Sequence, residues 1–213
     1  MSPDNNKKAL LVLIGSPRRD GNSALMGQAV AEGAREAGID VSVRFVDDYI
    51  AGMLTDTRER MPADDRYGAL FIEQFLPAEA VVFCTPVYWY GMSSQMKAFF
   101  DRSFTYYSST FPNTASVREQ MLRKRLGLAV VSEETYPGVA LGIVHQIQEF
   151  ARYTHSAFVG YVHGIGNARG EVARDPRNPL AAARALGRDI LTMPYSDYRL
   201  DTPRSNRVWA LDD

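Results

Sequence analysis

The sequence predicts an α/β chain folded as one doubly wound parallel sheet with helices on both faces, and three observations predict it. Short aliphatic runs alternate with longer stretches of helical period five times along the chain. The runs are continuously apolar, as in strands buried on both faces of a sheet. Parallel strands need long crossovers, and each run is separated from the next by enough residues for a helix.

The first strand is Ala9-Leu-Leu-Val-Leu-Ile14, closed by Gly-Ser-Pro. Leu25, Met26, Ala29, Val30, Ala34 and Ala37 then recur at helical spacing until Gly38, which predicts a helix over about 23–37 with Asn22 or Ser23 as its N-cap. Val41 to Val46 reads as the second strand. Residues 47–65 show no sustained period and read as a loop. Tyr67, Leu70, Phe71, Phe75 and Leu76 predict a second helix beginning after Pro62, with Asp64 and Asp65 near its amino end, where the helix dipole favours them. Ala80 to Cys84 is the third strand, ended by Thr85-Pro86, and Met92, Met96, Phe99, Phe100 and Phe104 mark the third helix. Residues 105–121 are polar and rich in Ser and Thr, and read as a long connecting loop. Leu126–Val131, Val139–Tyr153, Ala157–Val162 and Leu180–Leu191 complete the pattern as strand, helix, strand and helix.

Composition removes several functions. With 24 Lys+Arg against 25 Asp+Glu in 213 residues, the formal charge of −1 argues against nucleic acid as the main partner. One cysteine, Cys84, excludes an intrachain disulfide framework and a cysteine-ligated cluster carried by one chain, and fits a cytoplasmic protein. Buried in its strand, Cys84 reads as structural. His145, His155 and His163 lack partners at metal-ligand spacing, so no metal is expected. No stretch is long and apolar enough to cross a membrane, and no signal peptide is visible.

In a doubly wound sheet, ligands bind outside the carboxyl ends of the strands. After the first strand stands Gly15-Ser-Pro-Arg-Arg-Asp-Gly-Asn-Ser23, which combines hydroxyls, an amide, two arginines and the free N–H groups of a helix start. These suit a phosphate dianion; the alternative is an ordinary strand-to-helix loop. A triphosphate loop would need four residues between its glycines followed by Lys, whereas five separate Gly15 from Gly21 and Asn22 follows. A dinucleotide turn needs glycine where Pro17 stands. A terminal monophosphate, as in FMN, fits better. After the third strand, Thr85-Pro-Val-Tyr-Trp-Tyr-Gly-Met-Ser-Ser94 places three aromatics ahead of a helix capped by Ser93 or Ser94. Such a loop can offer backbone N–H groups and flat side chains to a heterocycle, with Gly91 allowing close approach. Alternatively, Tyr88, Trp89 and Tyr90 cover the end of the core.

With these residues the chain resembles the NAD(P)H-dependent FMN reductases of flavodoxin-like fold, a family that includes iron–sulfur flavoproteins and quinone reductases. The resemblance rests on GSPRRDGNS at 15–23, TPVYWYGMSSQMKAFFDR at 85–102 and the five βα units, and covers roughly residues 8 to 190. It implies a five-stranded parallel sheet of order 2-1-3-4-5. It also implies FMN phosphate bound by Ser16, Arg18, Asn22 and Ser23, and the isoalloxazine ring against Pro86, Val87, Tyr88, Trp89, Tyr90 and Gly91. Ser132 and Glu133, in the loop after the fourth strand, border the ring position in such folds. Iron–sulfur members carry cysteines after the second strand; here Tyr49–Asp56 has none, which places the chain in the cluster-free branch.

The implied activity is hydride transfer from NAD(P)H through flavin N5 to a quinone, flavin, azo or nitro aromatic, or similar acceptor, with no side-chain nucleophile. The rival readings are a flavodoxin-like FMN electron carrier and a non-catalytic flavin-binding regulator. His163, beside Gly164-Ile-Gly166, reads as a surface histidine or as a cofactor neighbour. Tyr106 and Tyr107 read either as stacking over the flavin or as part of a subunit interface. Residues 1–193 read as a single domain. The segment 194–213, with Tyr195, Tyr198, Leu200, Val208 and Trp209, carries enough apolar surface to suggest packing on a neighbouring subunit of a homodimer or homotetramer.

Overall fold

The computed structural model describes residues 8–55, 64–107, 114–122 and 124–194. Its strands are β1 (Ala9–Ile14), β2 (Asp40–Phe45), β3 (Ala80–Tyr88), β4 (Gly91–Met92), β5 (Arg125–Ser132) and β6 (Ala157–Ile165). The sheet runs β2-β1-β3-β5-β6 with every neighbouring pair parallel, and β4 folds back antiparallel on the end of β3. Leaving out the two-residue β4, this is the expected order.

The helices are α1 (Asn22–Glu36), α2 (Tyr67–Leu70, continued by a π-type turn over Phe71–Phe75), α3 (Ser94–Tyr107), α4 (Thr114–Met121), α5 (Leu141–Thr154) and α6 (Pro179–Asp189). Alternation along β1 sorts the core into two layers. Leu10, Val12 and Ile14 pack with α1 and α6, whereas Leu11 and Leu13 join the layer formed by α2, α3, α4 and α5. Between α1 and α6 the backbones nearly touch. A Cβ on Gly33 would lie 1.8 Å from the Arg184 carbonyl oxygen, and one on Gly187 would lie 1.9 Å from that of Val30. Glycine is required at both positions by this approach alone.

Four local expectations are corrected. The stretch 105–121 is not one loop: α3 runs on to Tyr107, and α4 follows at Thr114. Only Val117 and Met121, one turn apart, face the core from α4, which is too sparse a stripe to register as a period. Strand three does not stop at Thr85-Pro86. Pro86 is tolerated because Cys84 bonds toward β1, through Gly15 N–H at 2.8 Å, so by alternation Pro86 turns its missing N–H to the same side, past the last β1 residue. The second helix is one α-turn plus a π-turn rather than a regular helix. The N-cap of α1 is Gly21, in extended conformation, and neither Asn22 nor Ser23.

Asp65 stands at the amino end of α2, accepting the Tyr67 N–H at 3.1 Å, and forms a buried ion pair with Arg102 of α3. At the opposite end of the sheet, Arg125 donates to the carbonyls of Ile190 and Met193 and so fastens the end of α6. The proposed packing of the carboxyl-terminal segment concerns residues that, from 195 onward, lie outside the described residues.

Candidate functional site

The turn after β1 is built from buried bonds. Ser93 Oγ donates to the Gly15 carbonyl and accepts the Met96 N–H at 3.2 Å, so one hydroxyl caps α3 and braces the turn. A Cβ on Gly15 would stand 2.7 Å from Met96 Cβ. Gly21 N–H closes onto the Arg18 carbonyl at 3.1 Å, and α1 starts immediately after. The N–H groups of Asn22 and Ser23 then have no acceptor among the described residues, as expected for a helix start. The buried hydroxyls of Ser16 and Ser23 stand beside them, and the exposed Arg18 guanidinium makes no hydrogen bond or ion pair among the described residues. Arg19, by contrast, pairs with Asp47 and Asp48 and lies over the Phe45 ring, turned toward β2.

The Asn22 side chain is not available to a ligand. Its Nδ2 donates to the carbonyls of Gly166 and Ala168, both at 2.9 Å, and its Oδ1 accepts the Val172 N–H at 3.2 Å. Asn22 therefore ties the segment after β6 to the start of α1, and only its backbone N–H remains free.

After β3 the chain makes a two-residue hairpin, pairing Tyr88 with Gly91. Its central residues, Trp89 and Tyr90, have φ of 48° and 62°, the left-handed geometry that a type I′ hairpin requires and that Asn-Gly normally fills. Aromatic residues are strained there, and Trp89 is 95% exposed. The Tyr136 side chain from the neighbouring loop lies beside Tyr90.

One cleft of about 200 Å³ gathers the pieces at the carboxyl ends of β1, β3, β5 and β6. Ser16, Arg18, Asn22, Ser23, Pro86, Val87, Tyr88 and Ser132 all line it, together with Glu133. Trp89, Tyr90 and Gly91 lie beyond its lining, at and beside the hairpin tip. Gly166 and Asn167, which sequence reasoning missed as site residues, also line it. The signal was the close glycine pair Gly164 and Gly166 at the end of the last strand, since a Cβ on Gly166 would meet Val172 N at 2.7 Å and Asn22 Nδ2 at 3.0 Å. A second hollow, of about 760 Å³, shares Glu133, Gly166 and Asn167 with the cleft.

Other candidates separate from the site. Cys84 is fully buried, and burial pushes its thiol far up, so it is no redox centre. Tyr106 stacks on Phe71 at 4.7 Å and Tyr107 packs edge-on against Tyr153, in the layer of α2 to α5, and neither lines the cleft.

The donor set fits a phosphate monoester. Two N–H groups at a helix start, two hydroxyls and one unpaired guanidinium converge, while the nearby Asp20 carboxylate is held by Arg169. Pro86, Val87 and Tyr88 line the same cleft as these donors, the combination that an aromatic cofactor with a phosphate tail requires. Fold and cleft together define a flavodoxin-like α/β protein with a cleft at the carboxyl ends of its strands.

Comparison with known proteins agrees. The model of a family described as having the flavodoxin-like fold matches residues 8–185, and the chain belongs to that family. It is 29% identical over 184 residues to YwqN of Bacillus subtilis, whose name describes an NAD(P)H-dependent FMN-containing oxidoreductase, with 84% of this chain and 97% of that one covered. An iron-sulfur flavoprotein from Archaeoglobus fulgidus is 26% identical over 202 residues, covering 89% and 81%. Among solved structures, the Trp repressor binding protein from Bacillus subtilis superposes with a TM-score of 0.64 at 28% identity, over 83% of this chain and 99% of that one.

Proposed function

We propose that this protein is an FMN-dependent NAD(P)H oxidoreductase that passes hydride to a small acceptor such as a quinone, a flavin, or an azo or nitro aromatic. The observation that carries the reading is the junction, in one cleft, of a phosphate-binding helix start with the wall formed by the β3 end and the β5 loop. YwqN's name, for a relative aligned over nearly its whole length, points the same way.

In this reading Ser16, Ser23, Arg18 and the Asn22 and Ser23 N–H groups hold the phosphate, and the Asn22 amide holds the loop that closes the cleft. Pro86, Val87 and Tyr88 carry the ring, with Trp89, Tyr90 and Gly91 over its outer edge. Ser132 acts from the end of β5. Bound FMN supplies the two-electron chemistry at N5. The backbone N–H groups of Glu133, Glu134 and Thr135 have no acceptor among the described residues and serve as donors where negative charge grows on reduction. The adjoining hollow leaves room for a second substrate.

The protein works in the cytoplasm as a homodimer or homotetramer, in which the exposed Trp89 and the segment 194–213 beyond the domain at 1–193 meet a neighbouring copy. The test is direct. The protein reconstituted with FMN is yellow, and anaerobic NADH or NADPH bleaches it. Bound FMN that stays oxidised with both nucleotides would favour an electron carrier or a regulator, and failure to take up FMN would overturn the site.

A further inference from the structure

The loop after β5 carries three consecutive N–H groups without acceptors, on Glu133, Glu134 and Thr135, and it is braced from one side by Ser132. Ser132 Oγ lies 2.7 Å from the Glu134 carbonyl oxygen and 2.7 Å from His163 Nε2. A hydroxyl has one proton. The Glu134 carbonyl can only accept, so the Ser132 proton goes there, and His163 must donate from Nε2 to the same oxygen. Were the proton given to His163 instead, two oxygens would face each other at 2.7 Å with none between them. His163 thus holds a defined tautomer, and Ser132 is fixed at both ends.

His163 itself is placed by the sheet. It sits on β6 opposite Val130 of β5 and is half-buried. The charged groups that act on it come from the segment after the short turn Glu171–Arg174. They are Asp175, whose carboxylate accepts the Ile165 N–H at 2.8 Å, and Arg177, which pairs with Asp175 at 2.7 Å. Glu133 and Glu134 stand on the loop it braces. Burial, followed by Arg177, keeps the imidazole below its ordinary value of 6.5, so it is neutral at pH 7.

We propose that His163 is a positioning residue: acting through Ser132, it holds the 133–135 segment so that its three free N–H groups stand ready for the anionic edge of a reduced flavin. This rests on the reading that the cleft holds FMN. The role is to tune the cofactor through geometry rather than to touch the reacting atoms, and it predicts a selective effect on reduced over oxidised FMN. A brace one bond removed from the cofactor matters most where charge develops, since preorganised donors there need no rearrangement during reaction.

The test compares His163→Leu, His163→Gln and Ser132→Ala with the parent protein, reading the midpoint potential of bound FMN across pH 5–9. The expected result is that His163→Leu and Ser132→Ala each weaken binding of reduced relative to oxidised FMN about tenfold, which for a two-electron couple lowers the potential by about 30 mV. His163→Gln keeps an N–H donor at a similar reach and restores the potential to within about twofold in that ratio. In the parent the potential carries a component that rises on acidification as His163 protonates and favours the reduced cofactor, and His163→Gln lacks it. An unchanged potential in His163→Leu, or a shift in Ser132→Ala that His163→Leu does not share, overturns the proposal. If the parent protein takes up no FMN, the functional reading has failed, and the brace is then read in the free protein. Nitrogen chemical shifts of His163 should report an Nε2–H tautomer, and the amides of Glu133 to Thr135 should move in His163→Leu but not in His163→Gln. The opposite tautomer would overturn it there.

Discussion

The turn after β1 and the hairpin after β3 meet at the same cleft and are built on opposite plans. The turn is held by buried bonds from distant parts of the chain: Ser93 from the start of α3, Cys84 from β3, and the three bonds that join Asn22 to residues 166–172. Its shape therefore exists before any ligand arrives. The hairpin relies on two aromatic residues in a backbone conformation that suits neither, with the Tyr136 side chain as a neighbour. Selection for stability alone would place Asn-Gly there. In the proposed function one loop is a fixed receptor for a constant group, and the other keeps strain and exposed aromatic surface where a variable partner, substrate or second subunit would meet the protein.

The sharpest way to break this comparison is Asn22→Ala. It leaves two carbonyls and one N–H without partners near the cleft, at about 1 kcal/mol each, so a loss of about 2–4 kcal/mol in unfolding free energy is expected in chemical denaturation. FMN affinity should fall with it, because Gly166 and Asn167 are released. A neutral result would mean that the turn is not preorganised in this way. Next in size, Arg18→Gln and Ser23→Ala should each weaken FMN by roughly 10- to 100-fold in fluorescence titrations, as loss of a charge-assisted bond does, with little change in stability. Binding affected without folding is the mark of a ligand contact.

For the hairpin the sign reverses. Replacing Trp89-Tyr90 by Asn-Gly should raise stability by about 1 kcal/mol, seen as a higher thermal midpoint, while turnover with aromatic acceptors falls. A hairpin that loses stability on this change would not be strained. The smallest effect concerns pH. Asp175 binds the Ile165 N–H and the Arg177 guanidinium, and these hold its carboxyl far below the usual range. A depressed carboxyl contributes stability that is fully present above its unfolded value of about 4 and is lost as pH falls toward the folded one. Acid titration of stability should therefore lose slope below about pH 4 in Asp175→Asn, and the hairpin variant should keep the parent slope.

The parts of this protein legible in its sequence are those where one physical rule dominates. Buried parallel strands read as aliphatic runs, so the sheet and its βα order were visible from Ala9–Ile14 onward. The turn proposed to hold the phosphate was visible because free N–H groups, hydroxyls and Arg18 follow a strand end. What stayed hidden depends on tertiary bonds. Asn22 reads as a cap or a ligand donor until the chain returns about 145 residues later to use its amide. The helix α4 shows only two core residues, and Gly166 and Asn167 are marked only by the glycine pair Gly164 and Gly166, whose meaning depends on the contact with Asn22. Ser132 was legible by position, while its link to His163 depends on the β5–β6 register.

The exposure of Trp89 has an optical consequence. The chain has two tryptophans, Trp89 and Trp209, so Trp209→Phe leaves a single indole at the hairpin tip, 95% open to water. That indole starts with the red-shifted emission of a solvated ring, and any body that settles on the hairpin must shift it to the blue or quench it. A bound flavin, an acceptor and a second polypeptide would each leave a different trace in colour, intensity and anisotropy. The strained turn therefore doubles as a built-in reporter of whatever comes to rest on the mouth of the cleft.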